Sequence, residues 1–266
     1  MWLDWLDAWV AKTGLADRRA EWKNRRAAAS APRRVAFIHV MKTAGSFVDS
    51  YLGYRVLAPR GYRIENSWAI GREADWTPEE LAQFRATDPG TAMYVHNHVG
   101  DWPADTVRSY IDDGWFVFSF VRHPGDQWCS YYFWGKAKAR GYWGMEKTRV
   151  FNQVCSLDEF LRLGFGPDNT LEWCRRSLDP PAYWRSLDFI DEYSDESFAW
   201  MLERHFGHRF VPRSLSRSNV SENPGYARCL AEGLVSESTD RLIRASQQFA
   251  AYEEIVAAGR ARRAAG

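Results

Sequence analysis

Long apolar runs and a strong net charge are both missing from this sequence. No stretch approaches the roughly 20 apolar residues that a membrane span requires. Asp4 and Asp7 interrupt the apolar N-terminal stretch and no basic segment precedes it, so it does not match a secretory signal. The net charge is +1 over 266 residues, which does not indicate a basic face for nucleic acid. We therefore expect a cytoplasmic protein in which local clusters hold any anionic ligand.

Cysteine is scarce and scattered. The four cysteines form no C-x-x-C pair and have no partner histidines at zinc-finger spacing; they are Cys129, Cys155, Cys174 and Cys229. A structural zinc site is therefore not expected. Buried, reduced thiols are predicted instead.

Aromatic residues are abundant, with 14 Trp, 12 Tyr and 15 Phe. Most such rings belong in a core, but some can form flat platforms for a sugar ring or a base. Two interpretations remain open for residues 128–143, either a core helix followed by a solvated basic loop, or a surface for an anionic or membrane-linked saccharide. The segment interleaves rings with cations, namely Trp128, Tyr131, Tyr132, Phe133, Trp134, Tyr142 and Trp143 with Lys136, Lys138 and Arg140.

Residue patterns divide the chain into three parts. Residues 1–32 form an amphipathic helix and a linker, residues 33–256 the main domain, and residues 257–266 a flexible tail. The N-terminal helix could pack on its own domain or on a second subunit, lie on a membrane surface, or remain a disordered extension. Self-association and peripheral membrane contact both follow as hypotheses. The apolar face of this helix consists of Trp2, Trp5, Leu6, Trp9 and Val10.

Apolar runs of strand length alternate with helical patterns from residue 35 onward. Buried strands are predicted at residues 35–40, 91–96 and 115–121, and the last is apolar at almost every position, as in a central parallel strand. A helix is predicted at 126–134, a mobile loop at 135–149, mostly helix after 157, and a last helix at 236–256. This order indicates an α/β domain with a mainly parallel sheet.

A short glycine-containing turn joins the first predicted strand to a helix. Amide groups at a helix N-terminus attract anions, and the small Ala44 and Gly45 would let a phosphate approach the backbone. Thr43 and Ser46 add hydroxyl donors, and Lys42 adds a mobile cation. A Walker A loop is not present, because its first glycine is missing and the lysine leads the turn. An ordinary strand–helix turn is the alternative.

A second candidate anion site follows eighty residues after Lys42, where Arg122 ends the third predicted strand. An arginine there suits a bidentate grip on phosphate better than it suits packing. Pro124 ends the strand, and Ser130 falls on the next helix.

Two histidines, His96 and His98, stand at the end of the second predicted strand. Residues two apart face the same side of a strand, and a neutral imidazole near pH 7 can take a proton from a hydroxyl. Base chemistry, a structural role and metal binding remain open, although no third metal ligand is evident. His39, inside the first strand, is expected to be buried and structural.

The two anion-binding segments resemble those of carbohydrate sulfotransferases that use 3′-phosphoadenosine 5′-phosphosulfate (PAPS), the Golgi-type and heparan-sulfate 2-O-sulfotransferase-like family. We expect a bacterial member of this family. Residues 37–46, FIHVMKTAGS, are similar to the family's 5′-phosphosulfate loop. Met41 replaces the usual proline, Ser46 a threonine and Phe47 a hydroxyl residue. Residues 118–132 resemble the 3′-phosphate motif, although His123 stands where Asp or Asn is commoner.

The resemblance implies a P-loop-like three-layer α/β sandwich, with a central, mainly parallel sheet flanked by helices. PAPS would be the sulfuryl donor, 3′-phosphoadenosine 5′-phosphate the product, and no metal would be required. It assigns PAPS contacts to Lys42, Thr43, Ala44, Gly45, Ser46, Arg122 and Ser130. A fainter match at residues 217–226 adds Arg217 and Ser221.

The H-x-H segment is similar to that of uronyl 2-O-sulfotransferases, which favours His98 as the base, with His96 orienting it or touching substrate. Lys42 would act on the leaving phosphate. The predicted function is sulfuryl transfer to a hydroxyl of a carbohydrate or glycolipid acceptor. The rival predictions are a P-loop-type small-molecule kinase or NTPase and a non-catalytic nucleotide-binding scaffold.

Overall fold

The computed structural model describes residues 31–66, 90–98, 104–138, 156–167, 171, 174–175, 178–211 and 223–265. Within them, five strands form one parallel sheet. The strands are β1 Arg34–His39, β2 Arg63–Asn66, β3 Met93–His98, β4 Phe116–Val121 and β5 Phe189–Glu192. Their spatial order is β2-β3-β1-β4-β5. The N-terminal helix predicted within residues 1–32 falls outside this description, apart from the last two residues.

Helices cover both faces of the sheet, which confirms an α/β fold with a central parallel sheet. No helix in the described ranges has the length and apolar character needed to cross a bilayer. The helices are α1 Gly45–Val48, a π-helix Asp49–Leu57 that continues it, α2 Ala104–Asp112, α3 Pro124–Lys138, α4 Leu157–Phe165, α5 Asp195–Phe206, α6 Tyr226–Ala231, α7 Glu237–Arg244 and α8 Gln247–Ala265.

Alternating side chains of the central strands build two separate apolar layers. Phe37 of β1 and Phe118 of β4 face the π-helix and α5, where they pack with Leu52 and Phe198. The intervening residues face the opposite layer, where Ile38 packs with α2 and α8. All six residues of β4 are buried. Full burial of each large side chain contributes roughly 1.5–3 kcal/mol, so β1 and β4 are the rigid centre of the domain.

Two strands, β2 and β5, were not predicted. Each has only four residues, and β2 reads Arg-Ile-Glu-Asn while β5 reads Phe-Ile-Asp-Glu. Such short, half-polar segments lack the apolar run or alternation that marks a strand. Their pairing comes from the neighbouring strands β3 and β4.

The C-terminal helix is longer than predicted, because α8 continues past Val256 to Ala265. The segment interpreted as a flexible tail is anchored to β5. Arg262 Nη1 donates a hydrogen bond to the carbonyl of Ile190 at 3.1 Å, and Arg263 pairs with the buried Asp191. Alanine and arginine are strong helix formers, and these contacts hold the last turns in place.

The predicted helix at 126–134 also extends in both directions, as α3, into the predicted loop as far as Lys138. Buried thiols are confirmed for Cys129, Cys174 and Cys229, none of which is bridged. Cys155 lies outside the described residues.

Candidate functional site

The crevice between the carboxyl ends of β1 and β4 is the point where the strand order reverses. After β1 the chain crosses to β2 at one edge of the sheet, and after β4 it crosses to β5 at the other edge. In open α/β sheets, ligands bind at such a switch point. The turn containing Lys42 leaves β1 here, and Arg122 directly follows β4. The two predicted anion-binding segments therefore meet at one place.

The turn between β1 and α1 has an unusual backbone. Lys42 and Ala44 have φ angles of 65° and 62°, and across the described ranges they alone combine a positive φ with a side chain. Each such conformation costs roughly 1–3 kcal/mol, and such residues cluster at functional sites. The N–H groups of Phe47 and Val48 bond to the carbonyl of Ala44, so the amides before them precede the helical ladder and could bind an anion.

Side-chain hydrogen bonds hold this turn to the domain. Thr43 is fully buried, and its hydroxyl donates to the carbonyl of Val40 at 2.5 Å. Gln127 Nε2 donates to the carbonyl of Met41 at 2.8 Å, and Gln248 Nε2 donates to Gln127 Oε1 at 3.2 Å. Thr43 was predicted to donate its hydroxyl to phosphate, but that proton is committed to the protein. The Thr43 hydroxyl shapes the turn in this structure, and a contact of Thr43 with PAPS stays a prediction.

Lys42 lies beside a second cation. Burial, and after it the positive charge of Arg122, lower the pKa of Lys42 to about 8. The Lys42 ammonium is also 4.9 Å from the centre of the Trp134 ring, whose face stabilises a cation. Because the two cations repel each other, an anion that contacts both would relieve the repulsion.

Arg122 is held loosely at the start of α3. One of its guanidinium nitrogens is 3.9 Å from Asp126 Oδ1, and 36% of the Arg122 side chain is exposed. The same carboxylate oxygen accepts a hydrogen bond from the Tyr226 backbone N–H at 2.8 Å, which ties α6 to α3. Ser130, predicted to join Arg122 at the 3′-phosphate, lies two turns into α3 and is only 5% exposed. Arg122 is thus the more accessible of the two.

Three buried ionisable side chains form a row on the other side of β1. His96 Nδ1 is 3.2 Å from Asp49 Oδ1, and His96 Nε2 is 3.2 Å from His39 Nδ1. The Asp49 contact is electrostatic, because the ring N–H is not aligned with the oxygen as a hydrogen bond requires. Exposed fractions are 6% for Asp49, 4% for His96 and 7% for His39. Since both nitrogens of His96 contact protein atoms, His96 is placed to orient its neighbours and not to contact an acceptor.

The His39 ring explains why residue 45 is glycine. A Cβ added to Gly45 would come within 2.0 Å of His39 Nε2. The imidazole occupies the side of Gly45 where a Cβ would stand, and the approach of a phosphate to the Gly45 backbone stays a prediction. The prediction that His39 is buried is confirmed. Ser46, the next residue, is exposed and keeps its hydroxyl available to a ligand.

His98 is the last residue of β3, where its backbone pairs in register with His39. Its position is therefore at the carboxyl edge of the sheet, while its side chain lies outside the described atoms. Its role as a base remains a prediction. Arg217 and Ser221 also lie outside the described residues. Within those residues, no three His, Cys, Asp or Glu side chains form a group that could hold a metal ion.

Three of the seven rings in the aromatic segment predicted to contact a saccharide lie in the core. Trp128 is fully buried, and Tyr131 and Tyr132 are 3% and 8% exposed. The interpretation as a packed helix therefore applies to these three rings. Trp134 is partly buried and faces the turn through Lys42. Phe133 and Lys136 are also partly buried. Four members of the segment fall outside the described atoms, namely the Lys138 side chain, Arg140, Tyr142 and Trp143.

Sequence reasoning missed Asp49 and the two buried glutamines, Gln127 and Gln248. Asp49 stands four residues after Gly45 and three before Leu52, spacings that place it on the buried side of the helix. An acidic residue at that position was the available signal. The glutamines carried no signal, because their importance depends on contacts between distant parts of the chain.

In comparisons with known proteins, no protein-family model and no curated protein sequence matches the chain.

Proposed function

We propose that this protein is a sulfotransferase of the carbohydrate-sulfotransferase kind, which moves a sulfuryl group from PAPS to a hydroxyl of a carbohydrate or glycolipid. The observation that carries the proposal is the convergence of Lys42 and Arg122, eighty residues apart in sequence, at the switch point of the sheet. A ligand suited to two such cations carries two anionic groups. PAPS has this form, with a 5′-phosphosulfate and a separate 3′-phosphate.

Each anionic group of PAPS has a matching partner. The 5′-phosphosulfate fits the turn, where Lys42, the amides at the start of α1 and the exposed Ser46 hydroxyl supply donors. The 3′-phosphate fits Arg122, whose planar guanidinium can donate two parallel hydrogen bonds. The positive φ angles of Lys42 and Ala44 support this assignment, because the surrounding hydrogen bonds hold the turn in a costly conformation of the kind that clusters at functional sites.

The proposed reaction exchanges one S–O bond for another. The acceptor oxygen attacks sulfur in line with the bond to the 5′-phosphate oxygen, by analogy with phosphoryl transfer. The acceptor proton passes to His98, and the electrons of the broken bond leave with 3′-phosphoadenosine 5′-phosphate (PAP). Lys42 stabilises the negative charge that develops on the departing oxygen.

Two features favour PAPS over a nucleoside triphosphate with magnesium. The lysine precedes the small residues of the turn, whereas a Walker A loop ends in Gly-Lys. The residue that follows β4 is Arg122, where a magnesium site would place a carboxylate. A basic group there suits a phosphate and repels a metal ion.

Calorimetric titration with PAP in the absence of divalent metal tests this proposal. We expect PAP to bind, and Arg122→Ala to weaken binding about 100-fold, since hydrogen bonds to charged groups contribute roughly 1.5–3 kcal/mol. The matched control is Arg185→Ala, which removes an exposed arginine that precedes β5 and pairs with Glu254. This control should leave PAP affinity unchanged.

Titration with ATP, with and without magnesium, separates the rival functions. A preference for ATP with magnesium would favour a kinase or NTPase, and no nucleotide binding at all would remove the proposal. Sulfotransferase activity further requires release of PAP from labelled PAPS with sugars or water as acceptors. His98→Ala should stop this release while PAP still binds. Binding without any release would identify a scaffold.

A further inference from the structure

Asp49 is a carboxylate buried against β3. It is 6% exposed, and Tyr94 and His96, two residues apart on β3, both interact with it. Burial, followed by the negative charge of Asp49, raises the pKa of Tyr94, so the phenol keeps its proton beside the carboxylate. A buried carboxylate is costly unless it is compensated. The fold therefore retains Asp49 together with partners that compensate it.

The charge of Asp49 determines where the protons of two histidines lie. The Asp49 carboxylate favours a proton on His96 Nδ1 by electrostatic attraction, without an aligned hydrogen bond, because this nitrogen lies 3.2 Å from Oδ1. His96 Nε2 is then an acceptor, so His39 donates to it from Nδ1 across a further 3.2 Å. One carboxylate thereby favours the same Nδ1-protonated tautomer in both rings.

These contacts connect three elements in a closed loop, namely the helical run after the turn, β3 and β1. Asp49 and Gly45 are four residues apart in one helical run. From Asp49 the contacts pass to His96 on β3 and to His39 at the end of β1, and they return to the helix where the His39 ring meets Gly45. Because each contact is buried and tight, a shift of one element displaces the others.

We propose that Asp49 is a positioning residue that, through His96 and His39, fixes the turn of residues 42–46 against the end of β3. This inference rests on the proposed function. The turn supplies Lys42 to the leaving phosphate, and β3 ends at His98, two residues beyond His96. The contacts of Asp49, His96 and His39 therefore align the turn that binds the sulfuryl donor with the strand end that carries the proposed base. Misplacement by about 1 Å in such an arrangement can cost roughly 100-fold in rate.

Asp49→Asn is the direct test, because it keeps the size of the side chain and removes its charge. We expect PAP affinity within about threefold of wild type, and release of PAP from PAPS, with water as acceptor, to slow roughly 30-fold. The matched control is Asp191→Asn, which changes another buried carboxylate, on β5, that pairs with Arg263 of α8. It should lower the melting temperature at least as much and leave the release rate within about twofold.

A measurement on the wild-type protein tests the same contacts without any substitution. Nitrogen-15 NMR of the six histidine rings should show His39 and His96 both protonated at Nδ1. Addition of PAP should shift the signals of both rings, because the ligand contacts the turn that meets His39.

The possible outcomes separate this inference from the proposed function. If the wild type binds no PAP, the function itself fails. If PAP binds but leaves the His96 signals unchanged, or if Asp49→Asn lowers only the melting temperature, Asp49 is merely structural and the inference is overturned. Slower release with PAP affinity retained, together with altered ring signals, supports it.

Discussion

The ionisable side chains on the two sides of β1 are arranged in opposite ways. On the β4 side, Lys42 and Arg122 are partly exposed like charges, and burial together with the charge of Arg122 lowers the pKa of Lys42 to about 8. On the β3 side, Asp49, His96 and His39 are buried, and each lies within 3.2 Å of the next. One side is electrostatically unbalanced, while the other is compensated by its own neighbours.

This difference separates binding from alignment. An unbalanced cationic site gains free energy when an anion arrives, so its charges are available to a substrate and its transition state. A compensated row gains little from a ligand and instead holds neighbouring elements in place. Changes on the β4 side should therefore act on affinity and chemistry, whereas changes on the β3 side should act through geometry.

The largest expected effect is on the unbalanced side. Lys42→Met should slow the release of PAP from PAPS by about 100-fold or more, since the departing oxygen loses its cation. Stability should not fall, because the repulsion from Arg122 is removed. Steady-state release of PAP and thermal unfolding followed by circular dichroism would measure the two quantities.

The pH dependence of PAP affinity provides the control for Lys42. Its pKa in the free protein is about 8, and a bound anion raises that pKa, so the Lys42 contribution is complete below pH 8 and is lost as the pH rises. At pH 9 only about a tenth of the free lysine is charged, which predicts up to a tenfold loss of affinity. Lys42→Met should lack this loss. A variant that kept it would assign the effect to another group.

An intermediate effect is expected where the compensated side meets the turn. Gly45→Ala places a Cβ against the His39 ring, and such overpacking destabilises a protein by about 1–3 kcal/mol. Urea unfolding would measure the loss. The loss caused by Gly45→Ala should be smaller when this substitution is added to His39→Ala, which lacks the ring. Equal losses in the wild-type and His39→Ala backgrounds would show that the contact with His39 is not the cause.

The central part of the fold could be predicted because its signals are local. β1 and β4 are apolar runs, and α3 begins at Pro124, three residues after the end of β4. β2 and β5 could not be predicted, since four half-polar residues form a strand only beside an existing one. The last turns of α8 depend in the same way on contacts of Arg262 and Arg263 with β5.

In the candidate site, too, features with a local sequence signal could be predicted and features that depend on distant contacts could not. Lys42 and Arg122 could be predicted, because a cation at the end of a buried strand is informative by itself. The contacts between Asp49, His96 and His39 could not, because they depend on strand order and register. Gly45 shows the limit most clearly, since its small size was visible in the sequence but the ring that requires it was not.

The smallest effect is expected at His205, a partly buried histidine that lies near two arginines and far from the candidate site residues of the turn. Its ring centre lies 4.5 Å from that of Phe116, and burial, with the charges of Arg204 and Arg262, lowers its pKa to about 4. The unfolded chain, with a histidine pKa near 6.5, therefore binds more protons between pH 6.5 and 4, so stability falls as the pH decreases through this range. His205→Phe should reduce the drop in urea midpoint between pH 7 and pH 4.5 and leave PAP affinity at pH 7 unchanged. If the variant lost as much stability as wild type over this range, the acid sensitivity would belong to other groups.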